Sequence, residues 1–487
     1  MNRGLGSWPA RRAAISPDRV ALVFGDDSWT YAELRDRVTR LAHRLRAEGV
    51  GRGDRVAYLG PNHPALVETL FATHLLGGVF VPLNFRLTAP EVRYQLGHSG
   101  ARVLIRDPEC AEAKAPTTIP VTALTETSAE TGPPIEVEVG LDDPAFLLYT
   151  SGTTGRPKGA ILTHGNVVWN TYNLLVGVDV AGDEVTLIGA PLFHVAALNQ
   201  CLLPTVLKGG RSVIMPSWNV DQALDLIERH RVTWMFGVAA MFAALARSPR
   251  WASTDLSSLR CVMSGGAAVP PALIRAYQER GLTFCQGYGM TETAPGATFL
   301  EARESLSHVG SAGVPVFFTD VRCVRPDLTD AAPGEPGEVL VRGPNVTPGY
   351  WEDPAATADA FADGWLRTGD IAAVGEDGHF RILDRLKDMY ISGGENVYPA
   401  EVEAALFTHP GVAEVAVIGV PDEKWGEAGR AFIVPAAGHR PTAGELREHL
   451  AGRLAKYKIP AHFTIVDDLP KTGSNKVRKA DLRSRPL

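Results

Sequence analysis

The chain has 487 residues, 45% of them hydrophobic and 21% charged, which is enough to bury a large core and excludes a disordered tail or a fibre. Lysine and arginine number 48 against 55 aspartate and glutamate, and the net charge of −7 removes the broad positive field that non-specific nucleic-acid binding requires. We therefore expect no nucleic-acid partner. The five cysteines form no paired C-x-x-C set, so we expect a cytoplasmic protein without a disulfide framework.

The first hundred residues alternate between strand and helix periodicity. Short apolar runs, typical of strands buried on both faces of a sheet, occupy residues 20–24, 56–59, 79–81 and 103–105. Between the first two runs, Thr30 and Glu33 have the spacing of a helix capping box. The apolar face of the helix that follows is formed by Leu34, Val38, Leu41, Ala42 and Leu45. This alternation predicts a layered α/β domain.

No segment has the character of an export signal or a membrane span. The positively charged N-terminal residues precede no apolar stretch of signal-peptide length. The most apolar window, residues 66–83, is interrupted by Glu68, His74 and two glycines, whereas a membrane span needs about 20 apolar residues. The window predicts a helix that leads into a core strand, and we expect no transmembrane segment.

The later part of the chain changes character twice. Residues 111–134 lack periodicity and are predicted to be a surface excursion. After about residue 320, turns rich in glycine and proline predict a β-rich part, and a helix, a strand at 415–418 and a basic segment follow Lys387. The predicted fold class is α/β, with a large domain of layered α/β subdomains plus the β-rich part over residues 1–386, and a small α+β domain over residues 387–487.

A predicted buried strand at residues 146–149 runs directly into a loop of glycines, hydroxyls and cations. Glycines let backbone N–H groups approach an anion, hydroxyls add donors, and Lys158 offers positive charge to a polyphosphate. Pro157 and Gly159 break the G-x-x-x-x-G-K-[ST] pattern, which disfavours a Walker-type ATPase. A glycine-rich turn without a ligand is the alternative interpretation.

The string Y-T-S-G-T-T-G-x-P-K-G at residues 149–159 resembles the signature of the adenylate-forming superfamily, which contains acyl-CoA synthetases, the adenylation domains of peptide synthetases and luciferases. Further motifs follow in the family's order, and the resemblance covers almost the whole chain. It implies an acid–thiol ligase that uses ATP, CoA and Mg²⁺ and forms an acyl-adenylate before the thioester. The loop residues that it assigns to ATP are Thr150, Ser151, Gly152, Thr153, Thr154, Gly155 and Lys158.

A second motif, residues 286–292, combines an aromatic ring, flexible backbone, a hydroxyl and a carboxylate. By resemblance, Tyr288 stacks on adenine, Thr291 contacts the α-phosphate and Glu292 holds Mg²⁺, which prefers oxygen ligands. Taken alone, Glu292 would be interpreted as a solvated surface carboxylate. The resemblance assigns further ATP contacts to Gly265, Gly266, Ala267, Gln286, Gly287, Gly289 and Met290.

The resemblance places the ribose contact at Asp370, which has several lone pairs for the two hydroxyls of the sugar, with Arg385 assisting. Without the resemblance, Asp370 would be interpreted as a turn residue.

The basic loop near the C-terminus carries the lysine that the family uses to bridge the acid and the α-phosphate, and Lys476 aligns with it. Asn475 stands where the family usually has glycine, and asparagine tolerates left-handed backbone better than most residues. The resemblance implies that the small domain is mobile and rotates about Lys387. The CoA channel that it then presents is assigned to Ser392, Gly393 and Gly394.

The acid pocket follows from the same resemblance. His194 is interpreted as its gate, with a buried core histidine as the alternative. Residues 191–198 contain no carboxylate, which disfavours an amino acid, and Gly287 replaces the arginine of malonate-specific relatives, which disfavours a dicarboxylic acid. Gly289 replaces a tryptophan of acetate-specific relatives and leaves depth for a large apolar acid. The pocket walls are assigned to Phe236, Val238, Met241, Ala312 and Gly313.

Apolar walls do not separate an aromatic ring from an alkyl chain, because both gain free energy on burial in the same way. Residues 5–9 and 53–64 resemble feruloyl-CoA synthetases, whereas residues 310–313 and 420–426 are equally similar to fatty acyl-CoA synthetases. We predict a hydroxycinnamate such as ferulate as the substrate, with a medium- or long-chain fatty acid as the alternative.

Two further alternatives concern the class of protein and the acceptor. A nucleotide-binding regulator would need the phosphate loop and the adenine pocket but not Lys476, so the presence of all three favours an enzyme. The thiol acceptor is either CoA or a carrier protein, and the motifs leave that choice open.

Overall fold

The computed structural model of the chain describes residues 3–124, 135, 137–150, 157–266, 269–392, 395–451, 453–471 and 477–486. The chain forms two compact units. One consists of Met1–Val321 and Val341–Leu366, and the other of Arg322–Leu340 and Arg367–Leu487.

The strands and helices follow one another along the described residues in an α/β order. The strands are β1 (Val20–Phe24), β2 (Asp27–Thr30), β3 (Arg55–Leu59), β4 (Val79–Leu83), β5 (Val103–Arg106), β6 (Thr117–Pro120), β7 (Pro144–Thr150), β8 (Lys158–Thr163), β9 (Val185–Ile188), β10 (Arg211–Ile214), β11 (Trp234–Gly237), β12 (Cys261–Gly265), β13 (Phe284–Gly289), β14 (Gly296–Leu300), β15 (Val314–Pro315), β16 (Asp320–Val324), β17 (Gly337–Arg342), β18 (Phe361–Ala362), β19 (Trp365–Val374), β20 (Phe380–Arg385), β21 (Tyr390–Ser392), β22 (Glu395–Val397), β23 (Val412–Asp422), β24 (Gly426–Pro435) and β25 (His462–Ile465). The helices are α1 (Trp8–Ile15), α2 (Tyr31–Ala47), α3 (Pro64–Leu75), α4 (Ala89–Ser99), α5 (His164–Val178), α6 (Leu203–Lys208), α7 (Val220–His230), α8 (Ala239–Arg247), α9 (Pro271–Gln278), α10 (Pro354–Ala360), α11 (Pro399–Phe407), α12 (Ala443–Leu450) and α13 (Lys479–Arg483).

Two sheets organise the first unit. The larger sheet has the strand order β15-β14-β13-β12-β11-β9-β10-β1-β2, in which the strands from β13 to β1 are parallel and the edges are antiparallel. The second sheet has the order β6-β5-β3-β4-β7-β8, with only β8 antiparallel to its neighbour. Parallel strands buried by helices on their faces explain the continuous apolar runs in the sequence.

Local structure near the N-terminus follows the sequence predictions. Thr30 and Glu33 form the capping box that starts α2, and the five predicted face residues of this helix are all buried. The window at 66–83 folds as α3 followed by the fully buried strand β4. The predicted α/β fold class is confirmed. No helix in the described part of the chain is long and apolar enough to cross a membrane.

The prediction of a surface excursion at residues 111–134 is wrong for its middle part. Strand β6 extends the second sheet beside β5, and a 3-10 turn, Val121–Leu124, follows it. Ile119, Val121 and Leu124 are buried in the main core of the first unit. Only pairing with β5, which lies outside this segment, makes a strand of a sequence that lacks periodicity.

The second unit contains an antiparallel sheet with the order β22-β21-β24-β23, and β25 joins β24 in parallel. The strand predicted at 415–418 lies inside β23. Its core connects these strands to α11 and α12 through Tyr390, Val402, Leu406, Ile433 and Leu446. In the same unit, β19 and β20 form a hairpin that carries Asp370 and Arg385.

Candidate nucleotide and acid site

The carboxyl ends of three neighbouring parallel strands lie side by side, and three residues predicted to contact the nucleotide, Gly265, Gln286 and Gly287, are among them. Gly237 on β11 pairs with Ser264 on β12, and Ser264 pairs with Gln286 on β13. One residue further, Gly265 pairs with Gly287. A Cβ on Gly265 would lie 3.0 Å from the carbonyl oxygen of Gly287, so this strand end is closely packed. Ligands of open parallel sheets bind beyond such carboxyl ends.

Gly266 follows β12 with a φ of 84°. Ala267, the next residue assigned to the adenine pocket, lies outside the described residues.

Strand β13 ends with Tyr288 and Gly289, and Met290 begins a tight turn. A Cβ on Gly289 would lie 1.6 Å from the carbonyl oxygen of Pro295, so this position requires glycine whatever the size of the acid. The N–H of Met290 donates to the same oxygen at 3.1 Å. Tyr288 is held in register with Thr298 of β14. Gly289 was predicted to leave depth in the acid pocket, but the backbone of the turn requires a glycine here in any case.

The turn continues as the 3-10 helix Thr291–Thr293, which carries the predicted phosphate and magnesium residues. Glu292 is 4% exposed, which excludes the interpretation as a solvated surface residue. The hydroxyl of Tyr350 donates to Glu292 Oε1 at 2.8 Å, and the N–H of Thr347 donates to the Glu292 carbonyl at 2.7 Å. Burial, and then the Glu292 charge, raise the pKa of Tyr350, so its phenol stays a neutral donor.

Lys158 begins strand β8, in register with Thr150 at the end of β7. These two residues close the predicted phosphate loop, whose members Ser151, Gly152, Thr153, Thr154 and Gly155 lie outside the described residues. The Lys158 ammonium lies 5.4 Å from the centroid of the Tyr350 ring, a cation–π geometry. Tyr350 thus contacts both Lys158 and Glu292, two residues that belong to different predicted motifs.

Buried asparagines, which the sequence analysis missed, hold the turn that carries Glu292. Asn345 donates to the carbonyls of Thr293 and Gly296, both at 2.7 Å. Asn199 donates to the carbonyl of Ala294 at 3.0 Å, and Asn170 accepts from the N–H of Gly296 at 3.1 Å. Backbone groups buried in a turn need such partners because no ladder satisfies them.

A sequence signal for part of this network was available. Asn166, Asn170 and Asn173 recur at helical spacing along α5 and are all buried. Asn166 donates to the carbonyls of Pro344 and Val346, both at 2.8 Å. A polar face on an otherwise apolar helix predicts buried hydrogen-bonded partners rather than solvent.

The acid-pocket residues Phe236, Val238 and Met241 lie at the end of β11 and the start of α8. Phe236 and Met241 are buried, and the Phe236 ring would lie 3.4 Å from a Cβ on Gly265. These apolar side chains therefore adjoin the nucleotide end of the sheet.

His194 lies in the loop after β9, half-buried, with its ring 4.4 Å from that of Phe193. Asn62 holds the same loop: its side chain donates to the carbonyl of Ala190 at 3.0 Å and accepts from the N–H of Leu192 at 2.7 Å. Asn62 belongs to the segment 53–64 that resembles feruloyl-CoA synthetases, and its structural role is to fix the histidine loop.

Ala312 and Gly313 lie beside β14. Thr298 donates to the carbonyl of Ala312 at 2.7 Å. Gly313 has a φ of 85°, and a Cβ there would lie 2.0 Å from the carbonyl oxygen of Phe299. They directly precede β15, so β14 lies between them and β13, the strand that carries Tyr288.

Within the second unit, the predicted ribose pair is assembled across a hairpin. Asp370 on β19 stands opposite Arg385 on β20, and Arg385 Nε lies 3.0 Å from Asp370 Oδ1. Asp370 is 5% exposed, so it is a buried carboxylate rather than an ordinary turn residue.

Lys387, the predicted hinge, lies exposed in the turn directly after β20. Arg483 of α13 donates to its carbonyl at 3.3 Å and pairs with Asp388 at 2.7 Å. Ser392 is buried at the end of β21. The predicted channel residues Gly393 and Gly394 and the predicted catalytic Lys476 lie outside the described residues.

Two family models match the chain. Residues 9–351 match the AMP-binding enzyme family, and residues 401–476 match the AMP-binding enzyme C-terminal domain. The chain belongs to the AMP-binding enzyme family. The matched regions contain the strand ends, the Glu292 turn and the basic loop described above.

Several characterised members of the AMP-binding family are similar over their full length. Feruloyl-CoA synthases from Amycolatopsis sp and Streptomyces sp are each 54% identical over 99% of both chains. An indoleacetate–CoA ligase from Aromatoleum aromaticum is 40% identical over 98% of this chain and 97% of its own. A long-chain-fatty-acid–CoA ligase from Mycobacterium tuberculosis is 38% identical over 99% and 98%.

Solved structures of AMP-binding enzymes share the whole fold. The o-succinylbenzoate CoA synthetase of Bacillus subtilis in complex with its acyl-adenylate intermediate superposes with a TM-score of 0.91, at 38% identity over 99% of this chain and 98% of that one. The same enzyme has been solved with ATP and magnesium ion, with a TM-score of 0.88 at 37% identity over 98% of both chains.

These relatives establish the class of reaction. This member of the AMP-binding family is an ATP-dependent, AMP-forming acid–CoA ligase. ATP and CoA are the co-substrates of such enzymes, and Mg²⁺ is their metal ion. The alternative of a non-catalytic nucleotide-binding regulator is thereby set aside.

Proposed function

We propose that the enzyme joins a hydroxycinnamate such as ferulate to CoA. The observation that carries this proposal is the 54% identity to two feruloyl-CoA synthases, against 40% and 38% for the ligases named for indoleacetate and long-chain fatty acids. The apolar side chains of Phe236, Val238 and Met241 fit an aromatic ring and an alkyl chain equally well, so the choice of acid rests on the identities.

A panel of acids tests the proposal. Pyrophosphate release is measured with ATP and Mg²⁺ on ferulate, coumarate, benzoate, octanoate and palmitate, and CoA-dependent AMP release follows on each active acid. We expect the highest kcat/KM with ferulate or coumarate. A preference for octanoate or palmitate would overturn the assignment in favour of a fatty acid, and turnover of none of the five would contradict both.

In the first step, a carboxylate oxygen of the acid attacks the α-phosphorus of ATP, a P–O bond forms, and pyrophosphate leaves. Charge accumulates around phosphorus, and groups already aimed at it lower the barrier because they need no reorganisation. We assign this role to Lys158, Thr291 and Lys476. Tyr288 stacks on adenine and Asp370 binds the ribose hydroxyls with Arg385 beside it.

The donor chemistry around Glu292 suits a magnesium ion. Glu292 supplies a buried carboxylate and Thr291 a neighbouring hydroxyl, and Mg²⁺ prefers oxygen donors shared with substrate phosphates. When bound, the ion neutralises phosphate charge. The chain's own contribution is to hold the carboxylate in place through Tyr350 and Thr347.

In the second step, the CoA thiolate attacks the carbonyl carbon of the acyl-adenylate, a C–S bond forms, and AMP leaves. Lys476 would obstruct the approach of the thiol, so the two steps need different arrangements of the basic loop. We propose domains over residues 1–386 and 387–487 with Lys387 as the hinge, which then presents Ser392, Gly393 and Gly394 to CoA. The exposed turn at Lys387, directly after β20, supports a hinge at this position.

His194 is proposed as the gate of the acid pocket, lined further by Ala312 and Gly313.

We also propose that the enzyme acts in the cytoplasm, without a nucleic-acid partner. All five cysteines are free thiols, which suits a reducing compartment.

Comparing thioester yield with CoA and with a carrier-protein thiol tests the acceptor, and a higher yield on the carrier would overturn the choice of CoA.

A further inference from the structure

Residues 347–351 join two motifs that are far apart in the sequence. On one side, the N–H of Thr347 donates to the carbonyl of Glu292 at 2.7 Å. On the other, the N–H of Trp351 donates to the carbonyl of Gly159 at 2.8 Å, and Tyr350 forms a β-bridge with Ala160. The backbone of this segment therefore connects the Glu292 turn with the strand that begins at Lys158.

The side chain of Tyr350 repeats this connection. Its hydroxyl donates to Glu292 Oε1 at 2.8 Å, while its ring lies 5.4 Å from the Lys158 ammonium. One rigid aromatic side chain thus contacts a carboxylate at its polar end and a cation at its face. Its backbone is restrained as well, since the N–H of Tyr350 donates to Thr357 Oγ1 at 3.0 Å.

The two contacts have different chemical consequences. The hydrogen bond from the Tyr350 hydroxyl fixes which carboxylate oxygen of Glu292 is turned away from Tyr350. Removing a hydrogen-bond partner of a metal-binding group lowers metal affinity about 10- to 100-fold. A ring under an ammonium restricts the conformations of a long lysine side chain and contributes about 2- to 5-fold in binding.

We propose that Tyr350 is a positioning residue for the triphosphate site, which orients the Glu292 carboxylate toward Mg²⁺ and confines the Lys158 ammonium over its ring. This inference rests on the proposed roles of Glu292 and Lys158. It adds a residue outside the motifs named in the sequence analysis, contributed by the segment at residues 347–351.

The two functions of Tyr350 are separable by substitution. Tyr350→Phe removes the hydroxyl and keeps the ring, whereas Tyr350→Leu removes both. ATP affinity is measured by isothermal titration calorimetry on the full chain, once with MgCl₂ in excess and once with EDTA. We expect Tyr350→Phe to weaken binding in MgCl₂ by about tenfold or more and to leave binding in EDTA within twofold. Tyr350→Leu should weaken binding in EDTA as well, by about 2- to 5-fold.

A matched control is Tyr31→Phe, which removes a buried phenol that donates to the carbonyl of Gly210 at 2.7 Å in the same unit. It should lower the melting temperature without changing the effect of MgCl₂ on ATP binding. Glu292→Gln provides a second measurement: in that background, Tyr350→Phe should change the effect of MgCl₂ no further, because the oriented carboxylate is already lost.

Two results would overturn the inference. The first is a folded Tyr350→Phe variant whose ATP affinity responds to MgCl₂ as the wild type does. The second is a wild type whose ATP affinity is the same in MgCl₂ and in EDTA. Failure of the proposed substrate has a different signature, since the ATP titrations contain no acid and keep their outcome even if no hydroxycinnamate releases pyrophosphate.

Discussion

Arg385 Nε lies 3.0 Å from Asp370 Oδ1 across the hairpin of β19 and β20. The carboxylate is buried while the guanidinium is about half exposed, so the arginine orients the aspartate from the solvent side. We propose that the carboxylate held in this way binds the two hydroxyls of the ribose of ATP.

Asp370→Asn should raise the KM for ATP by about 10- to 100-fold, because hydrogen bonds to a charged group contribute about 1.5–3 kcal/mol. Steady-state kinetics with varied ATP and saturating acid measure it. Glu338→Gln is the control, since it breaks the ion pair with Arg367, which lies on the same strand as Asp370, and it should leave the KM unchanged. Equal effects of the two variants would contradict a ribose contact.

Lys476→Ala should slow adenylation by about 100-fold or more, since loss of one preorganised donor costs on the order of 3–4 kcal/mol in the transition state. Rapid-quench measurement of acyl-adenylate isolates this step, and ATP binding should change far less. Lys471→Ala is a charge-matched control, because Lys471 pairs with Glu414 at 2.7 Å instead. Full-speed adenylation by the Lys476 variant would remove the basis of the mechanism.

Gly394→Leu should block thioester formation while adenylation continues, because the resemblance places this glycine against the pantetheine arm of CoA. Pyrophosphate release and CoA-dependent AMP release, measured separately, distinguish the two steps. Gly444→Leu is a control in the same unit, at a helical glycine whose Cβ would meet nothing closer than 3.8 Å. If Gly394→Leu slows both steps equally, the channel assignment is wrong.

Asn345→Leu should lower the free energy of unfolding by roughly 2–5 kcal/mol, because it leaves two buried carbonyls of the Glu292 turn without donors. It should also reduce kcat, since the turn carries Thr291 and Glu292. Denaturant unfolding and kinetics measure the two effects. Gln222→Leu, at an exposed amide on α7, is the control and should change neither the free energy of unfolding nor kcat. A stable, fully active Asn345→Leu variant would show that the turn does not depend on the hydrogen bonds from Asn345.

Acid should destabilise the protein in part through His164. Burial lowers the pKa of this histidine from 6.5 to about 4, and its Nδ1 accepts from the N–H of Leu5. Between these pH values the unfolded chain binds a proton that the folded chain does not, so stability falls as pH falls, by up to about 3 kcal/mol. His164→Asn should make the slope of stability against pH shallower over pH 4–6.5. His439→Asn, at an exposed histidine, should leave the slope unchanged. Parallel slopes for the wild type and both variants would contradict a contribution of His164 to acid destabilisation.

Local patterns in the sequence determined much of the architecture. The capping box and apolar face of α2, the buried strands and the phosphate-loop string were all predictable, because each depends on residues within one turn, one strand or one loop. The family resemblance of the motif at 286–292 likewise assigned Tyr288, Thr291 and Glu292 to one site.

Pairing between distant segments was decided only by the tertiary structure. Strand β1 joins β10 of the larger sheet rather than the nearby β3, and β6 becomes a strand because β5 offers it an edge. The same is true of Tyr350 and Glu292, which are 58 residues apart and meet because residues 347–351 run beside β8. Periodicity shows which side of a helix or strand is buried, and any apolar neighbour can bury it equally well. A hydrogen bond needs one specific partner, and periodicity does not identify that partner.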